Sequence, residues 1–84
     1  MSVADTIKRK LQGELQPTIL QIENESHMHS GPATESHFKL TVVTPKFNSL
    51  SRVQRHQAVY KLLAEELQND VHALALHLFT PEEW

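Results

Sequence analysis

One run of thirteen residues, Arg55 to Leu67 (RHQAVYKLLAEEL), constrains the fold of this chain more than any other. His56, Val59, Tyr60, Leu63 and Leu67 fall at i, i+3, i+4, i+7 and i+11, one stripe of a helical period. Ala58, Lys61, Leu62, Ala64, Glu65 and Glu66 favour helix, and neither Gly nor Pro interrupts the run. A stripe this apolar must lie on something. The helix either starts near Ser51 or comes in two pieces, with a short turn at Leu50 to Gln54 before the main body. A break there would give a helix-turn-helix geometry.

Three segments have the character of strands that this helix could cover. Thr18 to Glu25 (TILQIENE) places Leu20 and Ile22 on one face with Thr18, and Gln21 and Glu23 on the other with Ile19. His37 to Thr44 (HFKLTVVT) alternates Phe38, Leu40 and Val42 with His37, Lys39 and Thr41 until Pro45 ends it. Val71 to Phe79 (VHALALHLF) aims His72, Leu74, Leu76 and Leu78 one way, and this Leu face should meet the helices. Ahead of them, Ser2 caps an amphipathic helix from Val3 to Leu15 with Val3, Ile7, Leu11 and Leu15 inward and Lys8, Arg9 and Lys10 outward. Gln16-Pro17 stops it. Ser26 to Ser36 reads as a long loop. Thr80-Pro81-Glu82-Glu83 has the cap, the proline and the third-position glutamate that open a short C-terminal helix. The order α-β-β-α(α)-β-α predicts an α+β fold in which the first two strands pair antiparallel.

Composition narrows the classes. Eighty-four residues suffice for one domain, 1–84, which buries only about 60–65% of its unfolded surface. With no cysteine, the chain has no disulfide framework and supplies no thiolate to a metal or cluster. No apolar run approaches a membrane span and no signal-peptide core precedes the first helix, so a cytoplasmic protein is expected. Charge is segregated although the net value is only −2. Phe38 to Lys61 holds Lys39, Lys46, Arg52, Arg55 and Lys61 with no acid, whereas Leu62 to Trp84 holds five acids and no Lys or Arg. Such a distribution makes a basic patch, or simply a solvated face. Histidine is overused, at positions 27, 29, 37, 56, 72 and 77. No Ser-His-Asp set, paired carboxylates or phosphate-cradling glycines point to an enzyme.

The stretches NESHMHSGPATESHFKL, RHQAVYKLLAEEL and VHALALHLFTPEEW together resemble the BolA-like family. The resemblance implies a fold akin to the type II KH domain, a three-stranded mixed sheet with helices packed on one face. It implies two lines of function. In one, a BolA-like protein partners a monothiol glutaredoxin, and the two share a [2Fe–2S] cluster with glutathione in iron–sulfur handling or iron sensing. In the other, it is a DNA-binding transcriptional regulator of cell shape and stress response. Alone, the chain is expected to hold no cofactor and to be a monomer or weak homodimer.

Each line assigns residues. Histidine replaces cysteine on one iron in some clusters, and the family's ligand positions match His72 in VHALAL and His29 in the long loop, with His27 and His37 in reserve. Without the family, His72 reads as a histidine at the edge of the core and the loop histidines as solvated. His56 suits packing, and His77 faces outward. Lys46, Arg52, Arg55 and Lys61 form the basic set, for duplex DNA or for an acidic partner surface. The Gly-x-x-Gly loop by which KH domains grip single strands is absent, and Ser49 stands where BolA-like proteins often have glycine. A metal-free protein-docking module is the third reading.

Overall fold

The computed structural model describes residues 2–24, 37–69 and 71–84. The first helix, α1 (Val3–Leu15), begins where Ser2 Oγ accepts the Asp5 amide at 3.1 Å. It ends at Gln16, which adopts a left-handed conformation (φ 46°) and returns its amide to the Gln12 carbonyl. Pro17 has no N–H with which to continue the helix. Strand β1 (Ile19–Asn24) pairs antiparallel with β2 (His37–Val43), from Ile19 opposite Val43 to Asn24 opposite Phe38. A 3₁₀ turn, Pro45–Phe47, leads to α2 (Arg52–Leu62) and α3 (Ala64–Asn69). Strand β3 (Ala73–Phe79) then lies parallel to β2, from His37 opposite Ala73 to Val43 opposite Phe79. The sheet is therefore mixed, in the order β1-β2-β3. A parallel pair needs a long crossover, and α2 with α3 provides it.

The core lies between one face of this sheet and the helices. Ile7, Leu11 and Leu15 of α1, and Val59 and Leu63 from the crossover, close over Phe38, Leu40, Val42 and Leu78. Each such buried side chain contributes roughly 1.5–3 kcal/mol by leaving water. Phe47 from the 3₁₀ turn is fully buried among them. Two polar ties fix the helices. Thr44 Oγ1 donates to the Leu15 carbonyl at 2.7 Å, satisfying an otherwise orphaned group at the end of α1. Lys10, placed outward by its periodicity, instead reaches both carboxylate oxygens of the buried Glu66 at 2.9 and 3.0 Å, joining α1 to α3.

The α+β mixed sheet agrees with the sequence reading, and four details differ. The long helix breaks at Leu63, not at Leu50 to Gln54. Ser51 caps α2 firmly: its hydroxyl accepts the Gln54 amide at 3.2 Å, and the Ser51 amide donates to Gln54 Oε1 at 2.9 Å. Tyr60, assigned to the apolar stripe, is 41% exposed, and the buried line of α2 is Arg55, Val59 and then Leu63. Val71 is buried and His72 exposed, because β3 starts two residues later than predicted and strand alternation does not reach them. The C-terminus closes in one turn rather than a helix. There Thr80 and Glu83 bond reciprocally: Glu83 Oε1 accepts the Thr80 amide at 2.8 Å, and Thr80 Oγ1 accepts the Glu83 amide at 3.3 Å. The predicted loop Ser26 to Ser36 lies outside the described residues.

Candidate functional site

The basic set splits. Lys46 follows Pro45 in the 3₁₀ turn and is exposed; Arg52 opens α2 and Lys61 stands near its end, both exposed. Arg55 is 6% exposed and faces inward. Its Nε donates to the Leu50 carbonyl at 3.1 Å and its NH1 to the Leu78 carbonyl at 3.4 Å. The fork engages both Glu83 oxygens, at 2.6 and 3.3 Å, and the guanidinium carbon lies 5.8 Å from the Phe47 ring centre. Among the four basic residues Arg55 is thus the one turned inward, with Nε, NH1 and NH2 all donating within the protein. Bonding to Arg55 and to the Thr80 amide holds the Glu83 carboxyl down to about 2, well below the usual carboxylate range. An open cleft beside the pair is lined by Asn48, Arg55, Thr80, Glu82 and Glu83.

With Arg55 removed, Lys46, Arg52 and Lys61 remain as an exposed cationic set around an α2 that has no acidic residue. Along its length α2 offers a phosphate backbone positive charge and no carboxylate. Long-range attraction to polyanions follows, and it falls as salt rises.

The histidines fall in different places. His72 is exposed just before β3, and His37 is half-buried at the start of β2. Their ring centres are 6.4 Å apart. The parallel register that sets His37 opposite Ala73 brings them together, although they are far apart in sequence. His29 and His27 lie outside the described residues. His56 Nδ1 donates to the Arg52 carbonyl at 2.9 Å and its ring lies 6.5 Å from that of Tyr60, so it is a helix-surface histidine. His77 is exposed opposite Thr41 on the other face of the sheet. Among the described residues no group of three or more His, Cys, Asp or Glu is placed to hold a metal ion. His37 and His72 bring two imidazole rings to one end of the sheet, and imidazole nitrogen is a donor type suited to borderline metals.

A small α+β domain thus carries exposed cations on and just before α2 and a pair of histidines at one end of its sheet. The family model described as "BolA-like protein" matches residues 11–83. A Haemophilus influenzae protein named "DNA-binding transcriptional regulator BolA" is 56% identical over all of this chain and 82% of its own length. Among solved structures, BolA1 from Arabidopsis thaliana superposes with a TM-score of 0.93 at 38% identity, covering all of this chain and 98% of that one. The BolA domain of SufE1 from Arabidopsis thaliana gives 0.91 at 38% identity, covering all of this chain and 99% of that one. The chain belongs to the BolA-like family. Among the described residues no helix is long and apolar enough to cross a membrane.

Proposed function

We propose that this protein is a DNA-binding transcriptional regulator that meets duplex DNA with Lys46, Arg52 and Lys61. The observation that carries the reading is an exposed helix with cations and no acid on it, in a chain whose bacterial relatives bear that name. Such contacts give affinity that falls steeply with salt and by themselves carry little sequence information. The test is fluorescence anisotropy with labelled duplex DNA across a salt series. Replacing Lys46, Arg52 and Lys61 with Ala together should lower affinity and flatten the salt slope by about three, one for each cation. An unchanged slope sinks the reading.

A second reading is favoured by the histidine pair. His72 would be the ligand this chain lends to a [2Fe–2S] cluster shared with a monothiol glutaredoxin and glutathione, with His29 or His27 as the second nitrogen and His37 as a reserve donor beside it. The cluster supplies redox or iron-responsive chemistry, and the absence of cysteine leaves the thiolates to the partner. Absorption and circular dichroism after anaerobic assembly should change when this chain joins the glutaredoxin, and should not change with His72→Ala. Identical spectra with and without the chain would eliminate this reading while leaving the first standing.

A further inference from the structure

The outer side of α2 carries a feature that the phosphate-contacting cations do not explain. Residues four apart stack into a ridge along a helix. Arg55, Val59 and Leu63 are the buried ridge. Val53, Gln57 and Lys61 are offset from it by two residues, which turns them about 200° round the axis, to the far side. All three are exposed, and Val53 is 67% exposed, an isolated branched apolar side chain in full contact with water. Tyr60, 41% exposed, borders the ridge. Gln54, on the other border, is already engaged in the cap with Ser51. Gln57 therefore stands at the centre of the most outward line of the helix, with an apolar methyl group before it and an ammonium after it.

We propose that the Val53–Gln57–Lys61 ridge enters the major groove of duplex DNA and reads A·T base pairs there. The inference rests on the DNA-binding reading and adds the readout that phosphate contacts lack. The groove admits an α-helix, and among base edges it offers the adenine N6/N7 pair that a glutamine amide matches with two hydrogen bonds. It also offers the thymine methyl, the one apolar feature of the groove, which suits an exposed valine. The ridge is about 12 Å long, enough for three or four base pairs. Lys46 and Arg52, with Lys61 at the C-terminal end of the ridge, are left to hold phosphates and set the register. The cations and absence of carboxylate on α2 complement a polyanion, and the match of Gln57 and Val53 to adenine and thymine edges points to DNA as the occupant. Duplex is favoured over single strands because neither Gly-x-x-Gly nor a row of aromatics is present on this helix.

The test is in vitro selection from a randomised duplex pool with the full chain, followed by anisotropy on a selected duplex and on its shuffled counterpart. The selected sequences should share a short A·T-containing core. Gln57→Ala should reduce the preference for the selected duplex by about tenfold. Val53→Ala should reduce it by less, and should make no difference on a duplex whose thymines are replaced with uracil, which lacks the methyl. Lys46→Ala should weaken both duplexes alike. All three positions are exposed, so the variants should melt with the parent. Duplex binding in which Gln57→Ala and Val53→Ala keep the parental preference, or a pool that yields no enriched core, overturns the ridge assignment and leaves DNA binding intact. Failure to retain any duplex at low salt overturns the assignment and the DNA-binding reading together.

Discussion

Arg55→Ala is the substitution that most directly tests how this fold is closed. The guanidinium sits 6% exposed and bridges the Leu50 carbonyl before α2, the Leu78 carbonyl of β3 and the Glu83 carboxylate of the final turn. Truncation leaves two poorly hydrated carbonyls without donors and opens space over the buried Phe47 ring. The Glu83 contact counts for less, since that side chain is 40% exposed and water can replace its partner. The net cost works out at roughly 2–4 kcal/mol, most of it from the stranded carbonyls and the lost packing. In a domain of this size that lowers the melting temperature by more than about 10 °C. Arg55→Lys should recover only part, because one ammonium cannot face three acceptors in a fork geometry. Urea unfolding followed by circular dichroism measures both, with Arg52→Ala as the exposed control expected to stay within about 0.5 kcal/mol of the parent. If Arg55→Ala unfolds with the Arg52→Ala midpoint, the bridging account is wrong. If it is as stable as the parent yet loses duplex binding, Arg55 is a contact residue after all and the burial argument fails.

Acid should loosen the same closure: Glu83 titrates from an ordinary 4.5 unfolded to about 2 folded, so its contribution is complete above about pH 4.5 and disappears as pH falls toward 2. Glu83→Gln should flatten the fall in stability over that window, measured by urea midpoints at stepped pH, and an unaltered pH profile would contradict the assignment. Gly13→Ala should stabilise the protein by about 0.5–1 kcal/mol, because Gly13 lies within α1 and an added Cβ meets nothing within 4 Å. A lowered melting temperature in that variant would show a constraint at Gly13 other than helix propensity. Thr44→Val should cost about 1–2 kcal/mol through the unpaired Leu15 carbonyl, and an unchanged melting temperature would mean that this carbonyl finds another donor.

Much of the fold was legible because its signals are local. Ser2 and Gln16-Pro17 bracket α1, and the alternation of Phe38, Leu40 and Val42 places β2. The break at Leu63 carries no glycine or proline to announce it. The Leu63 amide goes to the Val59 and Lys61 carbonyls, and the break lies in the backbone of Leu63 itself (φ −103°, ψ 20°). The inward position of Arg55 is hidden in the sequence for a related reason. An arginine on a helix reads as surface, and its partner Glu83 is 28 residues away, beyond any local pattern. A signal was present in retrospect: Arg55 precedes Val59 and Leu63 at steps of four, in line with the core. The His37–His72 pairing needs the parallel register of β2 and β3, which no spacing in the sequence specifies. Tyr60 and Val53 show the reverse error, apolar residues that the period draws inward or leaves unremarked and that the structure exposes.

The sheet also divides the molecule into two poles. Asn24, His37 and Ala73 end or begin their strands at one pole, beside His72, while Ile19, Val43 and Phe79 lie at the other, next to the turn that Arg55 anchors. Seven residues of strand separate them, about 20 Å. Residues that far apart with no shared partner contribute to free energy additively. Substitutions around His72 can therefore change that pole without disturbing the closure at the far one. Changes at the histidine end thus act on binding, while changes at the arginine end act on folding.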